Sequence, residues 1–349
     1  MKNIVFTGGG TAGHIMPNLA IINQIKGYKI YYFGSNGMEK EIISKYKNIT
    51  FIEVPSVKLI RSLNFKNLLL PIKLIKSINV AKKKLKEIHP SLIFSKGGFV
   101  SVPVCLAGHS LKIPVLTHES DLSIGLANKV IAKKSKALLC SFKETANAYG
   151  KNAIYTGSPI RNEIFNGNKN IVIERHNIKT SKPIILIVGG SLGAKYINNI
   201  IEHNIDKLTQ NYFLIHIVGK NNKSSTQQNK DYIQLDFVKD IENYLALCDM
   251  VISRAGSNSI FELASLKKPS LLIPLPKGNS RGDQIENANL FKKKNLANVI
   301  YQENLTFESL LKKIQETLKN KDFYIKNLSR EKNLDGTEKI INLIHKYTK

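Results

Sequence analysis

One pattern occurs twice in this chain and constrains its fold more than any other feature. Val5-Phe6-Thr7 leads into Gly8-Gly9-Gly10-Thr11-Ala12-Gly13-His14, and Pro183 to Val188 leads into Gly189-Gly190-Ser191-Leu192-Gly193-Ala194. Each is a short apolar, β-branched run, then a glycine turn, then residues that suit a helix, the first helix being expected from about Pro17. Such a run predicts a buried strand, and the glycines permit a tight turn whose backbone N–H groups face an anion at the helix start. A strand that returns through a helix pairs in parallel with the next one, so the repetition predicts an α/β fold. Asn3–Thr7 reads as the first strand, with others at Tyr28–Phe33, Phe51–Val54, Leu92–Ser95, Val115–Thr117 and Ala137–Ser141. In the second part they are expected at Phe213–Val218, Met250–Ser253, Leu271–Ile273 and Ala297–Ile300. The 349 residues have room for two domains. The seam is expected near Ser158-Pro159, giving domains 1–158 and 159–334, with a last helix in the tail after 335.

Gly8-x-Gly10-x-x-Gly13 spells the dinucleotide-binding fingerprint. A nicotinamide cofactor also needs an acid at the end of the second strand to hold its ribose. That place reads Tyr31-Tyr32-Phe33-Gly34-Ser35, without an acid, so the turn is expected to serve another phosphate and no cofactor is expected. His14 sits at the turn's exit, beside the crevice such sheets open at their strand ends, either as a structural residue or as a base on a sugar hydroxyl. Ser95-Lys96-Gly97-Gly98-Phe99 repeats the strand-to-glycine logic, as a second anion nest or a plain turn. His118-Glu119-Ser120-Asp121 follows a strand, where three ionisable groups could tune one another or simply form a polar loop.

In the second part Met250–Ser253 ends in Arg254-Ala255-Gly256-Ser257-Asn258-Ser259-Ile260-Phe261-Glu262. Ser257, Asn258 and Ser259 could cap the helix that begins there, and its N–H groups could meet a diphosphate. Glu262, in the first turn or so, could accept two ribose hydroxyls, although Ser259-x-x-Glu262 also fits a capping box. Asp283 and Gln284, at a later helix start, could bond sugar hydroxyls. No Asp-x-Asp motif occurs, so no metal is expected on the diphosphate.

The formal net charge of +26 raises nucleic acid or an anionic membrane as partners. Only Arg61, Arg161, Arg175, Arg254, Arg281 and Arg330 are arginines among 52 basic residues, and no nucleic-acid module is present, so nucleic acid is not expected. Compositional drift toward Lys, Ile and Asn is the other explanation of the charge, beside an anionic membrane surface. Cys105, Cys140 and Cys248 form neither a metal motif nor a disulfide framework, which fits a reducing compartment. No apolar run reaches the ~18–20 residues of a membrane span, and no signal peptide is expected. Val57–Ile88 is basic and amphipathic, with a break expected at Pro71. Its Ile72–Ile88 part reads as a crossover helix packed on the sheet, and its Leu59–Leu70 part as a membrane-surface contact.

Seven short stretches, in order, carry a resemblance: GGTAGH at 9–14, GGFVSVP at 97–103, HESD at 118–121, GSPIR at 157–161, GGSLGA at 189–194, SRAGSNSIFE at 253–262 and DQIENA at 283–288. On these, nearly the whole chain resembles the MurG-type enzymes of glycosyltransferase family 28. The resemblance implies a GT-B fold, two Rossmann-like domains with parallel sheets facing across a cleft. It implies an acceptor- and membrane-facing first domain, a donor-binding second one, and a C-terminal helix (335–349) that crosses back to the first. It also implies an inverting transfer of N-acetylglucosamine (GlcNAc) from UDP-GlcNAc to the MurNAc 4-hydroxyl of undecaprenyl-pyrophosphoryl-MurNAc-pentapeptide. That step turns lipid I into lipid II in peptidoglycan synthesis, on the cytoplasmic side of the inner membrane, with the protein held there peripherally.

Residue by residue, the resemblance puts Ser191 and Arg161 on the donor diphosphate and the backbone of Val238 on the uracil. It puts Ser257, Asn258, Ser259, Ile260, Phe261 and Glu262 at the donor helix start, with Glu262 on the ribose, and Gln284 on the sugar. Thr11, Ala12 and Gly13 fall in the loop that holds the acceptor pyrophosphate, with His14 the expected general base and Glu119 the second choice. One departure stands out: Asp121 replaces the family's usual asparagine, which removes N–H donors and adds repulsion toward phosphates. A UDP-sugar donor with a diacylglycerol acceptor, or donor binding without turnover, are the other readings.

Overall fold

The computed structural model describes residues 1–55, 70–190, 192–223, 229–278 and 281–348, Leu70 in its backbone alone. Ser191 and residues 59–69 of the expected membrane contact lie outside the described residues. The chain divides into two compact units, Met1–Arg161 with Asp335–Lys349, and Asn162–Leu334.

The first unit alternates strands and helices as β1 (Lys2–Thr7), α1 (Ala12–Ile22), β2 (Tyr28–Gly34), α2 (Met38–Ile43), β3 (Ile49–Glu53), α3 (Leu70–Ile88) and β4 (Leu92–Ser95). It continues as α4 (Ser101–Ser110), β5 (Val115–Glu119), α5 (Leu126–Ala132), β6 (Ala137–Cys140), α6 (Lys143–Tyr149) and β7 (Ala153–Tyr155). The second unit has α7 (Lys169–His176), β8 (Ile184–Val188), α8 (Lys195–Glu202), α9 (Ile205–Thr209), β9 (Phe213–Ile217), β10 (Tyr232–Leu235) and α10 (Ile241–Leu247). After these come β11 (Met250–Ser253), α11 (Ser257–Ser265), β12 (Ser270–Leu272), α12 (Asp283–Lys293), β13 (Asn298–Val299), α13 (Phe307–Lys319) and α14 (Lys321–Arg330). The last helix, α15 (Thr337–Tyr347), belongs to the first unit, where Ile340 and Ile344 pack with Ile15 and Leu19 of α1.

The sheets run in the orders β3-β2-β1-β4-β5-β6-β7 and β10-β9-β8-β11-β12-β13, and each pairing is parallel. Both faces of the first sheet are covered, which is why its strands read as continuous apolar runs rather than alternating ones. Ile4 and Phe6 of β1 join the α1 and α15 side, while Val5 between them joins Ala81 and Leu85 of α3 on the other. In the second sheet Ile185 and Ile187 of β8 pack with Ile197 and Ile201 of α8 and Leu310 and Ile314 of α13.

Three details differ from the sequence reading. Helix α1 starts at Ala12, not about Pro17, and Pro17 lies inside it. The helix forgoes one ladder bond there, and burial of Ile15, Leu19, Ile21 and Ile22 offsets the loss. Strands β7 and β10 escaped notice because three or four residues among polar neighbours carry too little pattern. Only the C-terminal part of α3 packs as a crossover helix, since Ile72 and Ile75 are 66% and 58% exposed.

The second sheet buries one charged-type residue with its partners. His216 of β9 is fully buried, its Nε2 meeting Asn198 Oδ1 at 3.1 Å and its Nδ1 meeting the Tyr232 hydroxyl at 3.0 Å. Burial lowers its pKa to about 3, so the folded state keeps it neutral. The unfolded chain takes up that proton below about 6.5, so stability is present above that pH and falls beneath it. Urea unfolding at pH 7.5 and 5.5 should differ by about 1.4 kcal/mol in total from this residue, less stable at the lower pH. A His216→Gln variant should lose that part of the slope; an unchanged slope would mean the ring titrates alike in both states.

Candidate active-site loops

In a parallel sheet every turn from strand to helix leaves at the same edge. Because β1, β4 and β5 are neighbours, their turns lie side by side. Gly98 has a φ of +81°, and a Cβ built there would lie 2.6 Å from the Gly9 carbonyl oxygen and 3.5 Å from His14 Nδ1. The first and second glycine turns therefore touch backbone to backbone, and His14 stands against the second. Thr11 Oγ1 holds His14 Nδ1 at 3.0 Å. Neither α1 nor α4 has a side-chain cap or an acid in its first turn.

The acid absent from the end of β2 is supplied a few residues later. Glu39 is 1% exposed and accepts from Gly10 N at 3.3 Å, from Ser35 N at 2.8 Å and from Ser35 Oγ at 2.5 Å. Burial pushes its carboxyl up, but these hydrogen bonds outweigh burial and hold it below its ordinary value. The carboxylate thus fastens the first glycine turn, and its oxygens face the turn's own N–H groups. Sequence reasoning missed it because its role depends on α2 folding back over Gly10.

At the end of β5 the polar run resolves into distinct tasks. His118 is fully buried, its Nε2 donating to the Gly157 carbonyl at 3.1 Å and its Nδ1 receiving a bond from Lys96 Nζ at 2.7 Å. Burial, then the Lys96 charge, hold it well below the usual histidine range, so it is neutral. Glu119 is 5% exposed; its carboxylate accepts from Asp121 N at 3.1 Å, Gly125 N at 2.8 Å and Asn128 Nδ2 at 3.0 Å. This binds the loop 119–125 into one shape and suits Glu119 to positioning. Asp121 is half-buried on that loop. Lys96 was part of a quoted run but not picked out as a site residue; a lysine at the end of an apolar strand was the available signal.

In the second unit, a Cβ on Gly193 would lie 1.9 Å from the Val218 carbonyl oxygen, so the β8 turn packs on the backbone after β9. Helix α11 begins at Ser257 with Gly256 as its N-cap, and no side chain caps it. The alternative reading of Ser259 and Glu262 as a capping box is therefore not met: Ser259 is an exposed residue within the first turn and half-buried Glu262 lies in the second. The side chains of Ile260 and Phe261 are buried, Phe261 edge-on to Phe291, so only their backbone groups could reach a ligand.

Gln284 does come to this helix start. Its Oε1 accepts from Leu275 N at 3.0 Å, and its Nε2 lies 3.9 Å from a Cβ built on Gly256. Arg254, from the same stretch, is structural: it donates to the Ile273 and Pro274 carbonyls at 3.1 and 3.3 Å and to Gln302 Oε1 at 2.8 Å. Asn287, fully buried, ties α12 to the Ala255 carbonyl at 3.3 Å. Val238 is half-buried on the loop after β10, and half-buried Arg161 closes the first unit's main stretch. Among the described residues no cluster of His, Cys, Asp and Glu has metal-ligand geometry.

Known structures and sequences resemble this chain throughout. Acinetobacter baumannii MurG is similar over 99% of this chain and all of that one, with a TM-score of 0.79 at 23% identity. The calicheamicin glycosyltransferase CalG4 follows over 99% and 98%, with a TM-score of 0.72 at 9% identity. With two all-parallel α/β units, these likenesses define the GT-B class of fold.

The chain belongs to glycosyltransferase family 28. Residues 4–140 match the family's N-terminal domain and residues 184–344 its C-terminal domain. A protein of Clostridium botulinum (strain 657 / Type Ba4) is 45% identical over 355 residues, covering 100% of both chains. One of Clostridium tetani is 43% identical, covering 99% of this chain and 98% of that one. Both are named UDP-N-acetylglucosamine--N-acetylmuramyl-(pentapeptide) pyrophosphoryl-undecaprenol N-acetylglucosamine transferase.

The contact between the two turns makes a graded prediction. Gly10 also has a positive φ, +85°, but a Cβ there meets nothing within 4 Å. Gly10→Ala should cost about 1 kcal/mol from backbone strain alone. Gly98→Ala adds the clash with Gly9 and should cost at least about 2 kcal/mol. Thermal melts of the two variants check this, and equal losses would mean the turns are not in contact.

Proposed function

We infer that this chain transfers GlcNAc from UDP-GlcNAc to the MurNAc 4-hydroxyl of undecaprenyl-pyrophosphoryl-MurNAc-pentapeptide, lipid I to lipid II, in peptidoglycan synthesis. The observation that carries this reading is the full-length 45% identity to relatives named for that reaction, together with glycine turns at the strand ends of both units. The acceptor hydroxyl attacks the anomeric carbon from the face opposite UDP. The new O–C bond forms as the bond to the diphosphate breaks, so the centre inverts and UDP departs with the electron pair.

His14 takes the hydroxyl proton. Its Nδ1 lies 3.0 Å from Thr11 Oγ1, a contact that orients the ring. Thr11, Ala12 and Gly13 form the start of α1, where N–H groups and the dipole favour the acceptor's pyrophosphate. Glu119 shapes the loop that carries Asp121.

The start of α11, Ser257 to Ser259 with the backbone of Ile260 and Phe261, receives the UDP diphosphate, to which the family resemblance also assigns Ser191 and Arg161. Glu262 accepts the ribose hydroxyls, Gln284 turns its amide N–H toward the sugar, and the Val238 backbone meets the uracil. Preorganised N–H groups and Arg161 stabilise the departing charge without a metal.

His14→Ala should lower kcat by about 10²–10⁴-fold while UDP-GlcNAc still binds. Glu262→Ala should weaken UDP-GlcNAc binding by about 10–100-fold. Transfer of labelled GlcNAc to a lipid I analogue, with donor binding by calorimetry, reads both. A folded protein that binds UDP-GlcNAc yet glycosylates diacylglycerol and not lipid I would overturn the acceptor assignment.

The protein works as a peripheral protein on the cytoplasmic face of the inner membrane. Exposed Ile72 and Ile75 on α3, set among Lys73 and Lys76, support contact with an anionic bilayer next to the Leu59–Leu70 stretch. No described helix is long and apolar enough to cross a membrane. Ile72→Glu/Ile75→Glu should reduce co-sedimentation with phosphatidylglycerol vesicles at least about tenfold and leave UDP-GlcNAc binding intact. Unchanged sedimentation would move the membrane contact elsewhere.

A further inference from the structure

Lys96 is 2% exposed, a burial that lysine tolerates only with partners. It sits at the end of β4, between the β1 and β5 turns, its Cβ 3.2 Å from where a Cβ on Gly8 would stand. Its Nζ reaches across to β5, 2.7 Å from His118 Nδ1 and 2.5 Å from Ser120 Oγ. Both are neutral groups, so hydrogen bonding alone would not call for a cation here. The charges that act on it are the carboxylates of Glu119 and Asp121. Burial pulls Lys96 down to about 7 against their opposing pull, and an approaching phosphate strengthens the charged form.

The two carboxylates differ. Glu119 is anchored by Asp121 N, Gly125 N and Asn128 Nδ2. Asp121 is half-buried on the same loop, one residue beyond Ser120, which Lys96 holds. With Glu119 and Asp121 alone, the end of β5 would present two negative charges beside turns that are to receive a diphosphate. Lys96 reduces that to one.

We propose that Lys96 is the positioning residue that lets Asp121 stand in this loop, its ammonium compensating the carboxylate so that a diphosphate-bearing acceptor can approach. This rests on the reading of the first unit's turns as the acceptor side. It makes Lys96 and Asp121 one functional pair, tuned for acceptor binding rather than for the chemical step.

The test is a double-variant cycle on the full-length protein, with Lys96→Gln, Asp121→Asn and both together. Gln keeps N–H donors toward His118 and Ser120 but removes the charge. The readouts are KM for a lipid I analogue, KM for UDP-GlcNAc, kcat and thermal melting. Lys96→Gln should raise the acceptor KM about tenfold, with kcat and donor KM within about threefold. The double variant should return the acceptor KM to within about threefold of wild type.

If the two changes multiply instead of cancelling, the compensation is overturned while the acceptor reading stands. If neither change in a folded protein moves the acceptor KM, both are overturned. Should Lys96→Gln fail to fold alone, the double variant decides. Recovery of fold and acceptor KM supports the pair. A double variant that stays unfolded means Lys96 supplies bonds to His118 and Ser120 and not charge, which overturns the proposal.

Discussion

Parallel pairing is the constraint on which the rest of this structure depends. When every strand in a sheet runs the same way, all the turns that lead into helices emerge at one edge, and every helix brings its N–H-rich end there. In the first unit β1 lies between β2 and β4, with β5 next, so turns distant in sequence become neighbours. The same pairing buries both faces, so polar residues at the strand ends must find partners within the protein. Thr7, Ser95, Lys96, Thr117, His118 and Glu119 are all buried at that edge. Thr117 bonds Asn128, Asn128 holds the His118 carbonyl and Glu119, and Lys96 joins His118 to Ser120. This satisfied polar layer gives the turns above it a fixed shape.

Several helices that follow glycine turns start without a side-chain cap or an acid in the first turn: α1, α4, α8 and α11. A side-chain cap is worth about 1 kcal/mol to a helix, so these starts forgo that stability. Helix α12 is the contrast. It carries Asp283 and Glu286 in its first turn, a poor place for phosphate and a good one for sugar hydroxyls.

Carboxylates mark the second theme. Glu39 and Glu119 are buried acids whose oxygens accept backbone N–H groups, and each shapes a turn rather than offering itself to substrate. His14 is held by Thr11 at the exposed mouth of the first turn, the geometry on which its proposed role as base rests. The chemistry asks little more: one proton acceptor, and dipoles arranged in advance for the charge that develops on the diphosphate.

The sequence by itself determined the fold class and the positions of the glycine turns. Continuous apolar runs such as Ile184–Val188 are what a strand covered on both faces requires, and Gly8 to Gly10 and Gly97-Gly98 are legible because only glycine meets the positive φ and close approach found at Gly10, Gly97 and Gly98. His14, Glu262 and Gln284 stand out as candidates because they sit at or just beyond such turns. What only the tertiary structure decided were the partners. The start of α1 five residues before Pro17, the capping of α11 by Gly256, the closure of Glu39 over Gly10 and the reach of Lys96 to His118 and Ser120 were not readable from local pattern. Each depends on which strands the sheet order makes adjacent, and adjacency in a parallel sheet is set by crossover helices and core packing, not by distance along the chain.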